Sequence, residues 1–286
     1  MTEIRNENAE RTTSGDIDAA WAGWQAWLAS PPGQYLLAWE QAAIDEAVVD
    51  VFGYNAVQCG TEGQNFLRSN RMPNRVCVLA GRTLAAGGTD TSVTRVVIDQ
   101  FEELPFASQS LDLMVLPHVL EFASDPYQVL REVDRVLRPE GRMVVTGFNP
   151  VSLWGLRETI GQAVGRGFLP PQARRLTLLR LRDWLRLLGY APSDASHGCF
   201  RPGCSSERWL ARFSFVESAG DRWWPILGAT YLQSAIKRLP GMTLQGPAWR
   251  KRFSGRATAP VATHRDTCNR ETAEAGYPDR SGQPGA

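Results

Sequence analysis

Residues 104–147 read LPFASQSLDLMVLPHVLEFASDPYQVLREVDRVLRPEGRMVVTG, and this stretch limits the fold more than any other. Leu111, Leu113, Met114, Val115 and Leu116 form an apolar run broken only by Asp112. The run is too short for an independent helix, and its near-continuous apolar character suits a strand buried on both faces. Asp125 followed by Pro126 marks a helix start: the carboxylate can accept from free N–H groups of the first turn, and the proline sits where a missing N–H costs nothing. Val129, Leu130, Val133, Val136 and Leu137 recur at helical spacing on one face, and Pro139 and Gly141 stop that helix. Residues 143–146 supply the next strand. Strand, helix and strand in this order make the parallel crossover of an α/β protein.

The punctuation of the same stretch is specific. Leu104, Pro105 and Phe106 are followed by Ser110, Leu111 and Asp112, then by His118, Val119, Leu120 and Glu121. Asp125 and Pro126 come next, then Leu130, Arg131 and Glu132, and Arg135 to Gly141 reads RVLRPEG. In order and spacing these residues resemble the second half of the class I S-adenosylmethionine-dependent methyltransferases of the type-11 domain group. The phrase GFNPVSLWG over residues 147–155 resembles a bacterial subgroup of such proteins. The resemblance covers roughly residues 35–252 and is sharp over 99–155. It implies a Rossmann-like fold: a mostly parallel seven-stranded sheet with helices on both faces and a helical N-terminal cap.

The resemblance also implies S-adenosylmethionine as cofactor and assigns residues to it. Gly60 and Gly63, in the loop after a first strand at 55–59, would let backbone approach the cofactor. Asp99 or Gln100, at the end of a third strand at 93–98, would accept from its adenine amino group. His118 is the one conspicuous titratable group near the expected site and is a candidate base for an oxygen or nitrogen acceptor; packing against the helix start is the competing role. Phe148, Asn149 and Trp154 follow the strand at 143–146 and either line an acceptor pocket or form a lid packed on the core. Two departures from the family pattern stand beside these assignments. Ala56 and Gln58 occupy positions where an acid and a first glycine are usual, and Ala80, Gly81 and Arg82 replace the acid that would hold the ribose hydroxyls. Two functions therefore remain: methyl transfer to an unidentified small-molecule acceptor, or a non-catalytic relative that uses the fold for binding or scaffolding. The absence of a G-x-G-x-x-G after the first strand argues against a dehydrogenase.

Composition narrows the partners. A chain of 286 residues buries one sizeable core, and its net charge of +1 gives no global attraction to nucleic acid or anionic lipid. Five cysteines without paired short spacing argue for a reducing compartment, and Cys199 and Cys204, with only His197 nearby, do not make a metal site. With no visible export signal and no apolar stretch of bilayer length, the expected location is the cytoplasm. Residues 1–15 and 253–286 are polar and expected to be disordered, residues 16–52 to form two capping helices, and residues 53–252 the α/β domain. Within the domain a helix is expected near 64–69, another over 174–188, and a third, capped by Ser205, carrying Trp209, Phe213 and Val216. The last strand is placed at 228–237, antiparallel to its neighbour. No specific protein partner is implied. The arginines of the 174–186 segment read as a solvated face rather than an RNA site. Arg222, Trp223 and Trp224 are compatible with a weak contact at a membrane surface, against packing beside the last strand.

Overall fold

A computed structural model describes residues 14–60, 63–80, 93–165, 167–170, 173–213 and 215–238. The chain divides into two units, Met1–Met242 and Thr243–Ala286, and the described residues all belong to the first. The tail expected at 253–286, most of the N-terminal segment and Gly81 and Arg82 lie outside them.

Two helices lead the chain, α1 (Ser14–Leu28) and α2 (Pro31–Val48). The sheet begins with β1 (Asn55–Cys59), β2 (Asn74–Ala80), β3 (Thr94–Ile98) and β4 (Leu111–Pro117). After β4 come the single turn α3 (Val119–Phe122), the helix α4 (Pro126–Val136) and the long strand β5 (Leu137–Phe148). The chain continues through α5 (Leu153–Ala163), α6 (Leu178–Leu187), β6 (Tyr190–Pro192), β7 (Ser196–Gly198), α7 (Glu207–Arg212), α8 (Phe215–Trp223) and β8 (Thr230–Lys237). The sheet has eight strands, one more than expected, in the order β3-β2-β1-β4-β5-β8-β6, with β7 also on β8. The extra strand arises because β6 and β7 are three-residue segments that share one partner along its length. Strands β1 to β5 are mutually parallel, and β8 runs antiparallel to β5 as expected.

The segment that dominated the sequence reading folds as its chemistry dictates. Every residue of β4 is buried. The Asp125 carboxylate accepts from Tyr127 N and Gln128 N, with Pro126 behind it, and Val129, Leu130, Val133 and Val136 turn inward. The strand after α4 is much longer than 143–146: it starts at Leu137, directly at the helix end, and Pro139 and Gly141 lie within it rather than in a loop. The pairing shifts register between Leu111 and Leu113, which absorbs this irregular start. Asp112, the polar interruption of β4, holds Tyr54 N at 2.8 Å and Asn55 N at 3.0 Å and also pairs with Arg138. Burial alone would raise its pKa, but these donors outweigh burial and lower it. Gly53 is what allows this approach, since a Cβ there would stand 2.4 Å from the Asp112 carboxyl carbon.

Elsewhere the expected elements are cut differently. Residues 63–69 form turns, not a helix. Asn65 accepts from Leu67 N, and the buried side chain of Asn70 binds the Val48 and Val51 carbonyls, so local side-chain bonds take the place of a helical ladder. The helix expected over 174–188 starts only at Leu178, where Thr177 caps it, because Arg174 N is already given to the Glu121 carbonyl. The helix expected after Ser205 is two helices, α7 and α8.

Candidate functional site

Because β1 to β4 are parallel, the chain leaves them all at one edge of the sheet. The order β3-β2-β1-β4 places a topological switch between β1 and β4, where open α/β sheets bind ligands. Gly60 and Gly63 follow β1, Asp99 and Gln100 follow β3, His118 follows β4, and Phe148 and Asn149 end β5. The expected residues therefore lie along one edge, but in very different surroundings. Asp99 and Gln100 are exposed. Gly63 has φ +77° and open space where a side chain would stand.

Gly60, with φ +93°, is enclosed. A Cβ there would stand 2.7 Å from Val119 Cγ2 and 2.8 Å from the Trp21 ring, and its N–H is donated to the Val78 carbonyl. The clearance that its missing side chain creates is thus taken up by the protein itself. Trp21 belongs to a run of tryptophans at positions 21, 24 and 27, which face the sheet edge from α1. Trp21 packs on Phe101 and Phe122, and Trp24 lies on His118, Phe122 and Phe148. Trp27 meets Phe148, Trp154 and Phe168 and donates from its indole to the Phe168 carbonyl at 2.9 Å. An aromatic layer closes this end of the sheet.

His118 lies beneath that layer, fully buried and at φ +55°. Its Nε2 is 2.8 Å from Glu40 of α2 and its Nδ1 2.7 Å from Glu121 of α3. Burial alone would lower the imidazole pKa, but the charges of Glu40 and Glu121 overcome that and raise it to about 10. Both ring nitrogens thus face carboxylates, which favours the charged form, and neither is open to an acceptor's proton in this arrangement. Glu121 also accepts from Phe148 N at 2.5 Å, so the cluster joins α2, the end of β4 and the end of β5.

Phe148, Asn149 and Trp154 are likewise enclosed rather than lining an open hollow. Phe148 and Trp154 are each 1% exposed, and Trp154 Nε1 donates to the Arg201 carbonyl at 2.8 Å. The Asn149 amide donates to the Ile226 and Gly228 carbonyls at 2.7 and 3.0 Å.

The sequence reading missed the buried Glu40 and the inward role of Gln58. Glu40 sits in register with Leu36, Ile44 and Val48 at steps of four, so a carboxylate on an apolar stripe was the available signal. Gln58, at the position of the usual first glycine, turns inward: its amide donates to the Gln64 carbonyl and its oxygen accepts from Phe66 N, fixing the loop after β1. The arginines around α6 are largely spoken for. Arg174 binds the Ser124 carbonyl, Arg175 binds Thr159, Arg182 binds Gln233 and Arg180 lies over Trp184. Among the described residues no group of three or more His, Cys, Asp or Glu side chains is arranged to hold a metal ion.

Comparison with known proteins decides the family of folds. Residues 76–145 match a family model described as a methyltransferase domain. A S-adenosylmethionine-dependent methyltransferase of Thermotoga maritima, described as a possible histamine N-methyltransferase, superposes with a TM-score of 0.57 at 15% identity, covering 78% of this chain and 100% of that one. The chain has the class I methyltransferase fold. A chain of the Haloferax volcanii complex containing the Trm112 methyltransferase activator gives a TM-score of 0.55 at 15% identity, over 77% of this chain and 98% of its own. In sequence, the uncharacterized Escherichia coli protein YafS is 45% identical over 93 residues, 32% of this chain and 38% of the relative. The uncharacterized Mycobacterium tuberculosis protein Rv2003c is 28% identical over 154 residues, 49% of this chain and 50% of the relative. The chain spans half or less of the length of these curated relatives.

Proposed function

We propose that the chain binds S-adenosylmethionine at the carboxyl edge of β1 to β3 and transfers its methyl group to a small-molecule acceptor. The observation that carries this reading is that Gly63, Asp99 and Gln100 are exposed and follow the carboxyl ends of β1 and β3, within a methyltransferase-type strand order. The donor set suits an adenosyl group: a carboxylate and an amide are ready acceptors for amino and hydroxyl hydrogens, and an open glycine lets backbone come close. When bound, the cofactor supplies an electrophilic methyl on a sulfonium, so the chain need only hold, align and dry the reactants. Asp99 and Gln100 hold the nucleoside end. The layer of Trp21, Trp24 and Phe148 excludes water. His118 acts as a positioning residue, since through Glu121 it fixes the ends of β4 and β5 relative to each other. The thiols of Cys59, Cys199 and Cys204, in no disulfide, fit a reducing compartment, and a cytoplasmic location belongs to the same proposal.

A second reading, a non-catalytic binding or scaffolding protein on the same fold, has one observation in its favour: Trp21 fills the clearance beside Gly60. Calorimetric titration with S-adenosylmethionine and S-adenosylhomocysteine separates the two. Micromolar binding, weakened about tenfold or more in Asp99→Ala by loss of a charged hydrogen-bond acceptor, is the expected result. Absence of binding at millimolar ligand overturns it and gives the scaffold reading the lead. Binding gained only in Trp21→Ala would identify α1 as a plug that must move before the cofactor is admitted.

A further inference from the structure

The face of α5 that turns away from the core is apolar. Trp154 and Glu158 point inward, while Leu153, Leu156, Ile160 and Val164 follow one another at helical steps on the outside, between 49% and 69% exposed. Val151 extends the stripe beyond the helix start at 66% exposure. Leu227 joins it across a shallow hollow shared with Val151, Leu153 and Leu156. Leu227 ends the turn Pro225–Leu227, which follows α8 and brings Trp223, Trp224 and Ile226 to the surface at 60–70% exposure. Soluble proteins seldom leave so many large apolar side chains uncovered in one area.

This area is held in shape. The Asn149 amide ties down the Ile226 and Gly228 carbonyls, and Leu227 N closes the turn on the Trp224 carbonyl. Its charges are sorted by sign. Arg157 of α5 and Arg222 of α8 are exposed. Two carboxylates of the same helices are turned away from it: Glu158 accepts from Phe168 N and Leu169 N, and Glu217 pairs with Tyr35 and Arg201. The described charges left on this face are thus positive.

From this sorting we infer that the α5 face and the Trp223–Leu227 turn form a docking surface for an anionic phospholipid bilayer. The chemistry matches each layer of such a surface. Aliphatic side chains enter the acyl boundary, tryptophans sit at headgroup depth, and arginines meet the phosphates with their stems lying along the apolar zone. A second copy of the chain is a poorer occupant, because a twofold contact through this face would set arginines against arginines. Docking is peripheral, since no described helix is long and apolar enough to cross a membrane.

The test is co-sedimentation of the full chain with vesicles of phosphatidylcholine alone or mixed with phosphatidylglycerol. Binding to the mixed vesicles, several-fold weaker without phosphatidylglycerol and at high salt, is expected. Leu156→Glu/Ile160→Glu and Trp223→Ser/Trp224→Ser should each lower the bound fraction at least tenfold, and Arg157→Glu/Arg222→Glu several-fold. Far-ultraviolet circular dichroism and a cooperative urea transition matching the parent show that the variants remain folded. Binding that ignores these substitutions, equal binding to neutral vesicles, or no binding overturns the inference. Concentration-dependent dimers in sedimentation velocity that the same substitutions abolish would assign the face to a second copy instead, and would also overturn it. S-adenosylmethionine titration needs no vesicles, so this result is independent of the proposed methyl transfer.

Discussion

Two groups of tryptophans in this molecule have opposite fates. Trp21 and Trp24 lie on α1 and are at most 1% exposed, whereas Trp223, which ends α8, and Trp224, which follows it, stand 60–70% exposed. The difference lies in what each group faces. The α1 set meets the end of a parallel sheet, where strand ends, Phe122 and Phe148 offer aromatic surface and a buried imidazolium offers a cation. The α8 set follows a helix of nine residues whose inward contacts are made by other side chains, and it is left facing outward beside an apolar helix. Identical side chains therefore serve as core in one place and as surface in the other, and only neighbours in space distinguish them.

The comparison can be broken most directly by truncation. Trp24→Ala should cost about 3–5 kcal/mol in urea denaturation through lost burial and the cavity left behind. Trp223→Ala should stay within about 0.5 kcal/mol. Equal effects would mean that the two groups are not differently packed.

The imidazolium under the first group sharpens the contrast. His118→Leu leaves Glu40 and Glu121 buried without their cation and should cost about 3 kcal/mol or more. Its folded pKa, about 10, lies above the 6.5 of an ordinary imidazole. Its contribution is therefore complete below about pH 6.5 and is lost as pH rises through about 10. Stability of the parent should fall across that window, and Glu40→Gln should move the fall to lower pH. A flat pH profile would mean that the ring is neutral and the cluster differently protonated.

The smallest effect concerns the link between the regions. Asn149→Ala frees the Ile226 and Gly228 carbonyls and should cost about 1–2 kcal/mol. It should also loosen the Trp223–Leu227 turn, read as faster amide exchange there. Protection unchanged in that turn would show that α8 alone presents the exposed tryptophans.

Apart from the early start of β5 at Leu137, the crossover β4–α4–β5 was legible, because its signals are local: an apolar run, a capping Asp125, a Pro126 and one helical stripe. The shared face of Trp21, Trp24 and Leu28 was legible too, but not what it covers. Glu40 shows the limit well. Its stripe was visible, yet a carboxylate on it is explained only by His118, which lies far along the chain on the end of another strand. Gln58 is similar, since its replacement of a glycine looked like a loss and is in fact the brace of the following loop. The helix expected near 64–69 is displaced by Asn65 and Asn70, whose side chains offer the backbone partners that a periodicity argument ignores.

By itself the sequence determined the parallel α/β architecture, the family it resembles and the edge on which the candidate residues lie. Strand burial, helix capping and crossover order are all carried by short-range pattern. Only the tertiary structure decided which of those residues are open. Asp99, Gln100 and Gly63 face outward, while Gly60, His118, Phe148 and Trp154 are sealed by α1. That outcome depends on how a remote helix packs across the sheet edge, and exposure is a property of neighbours that no single stretch of chain encodes.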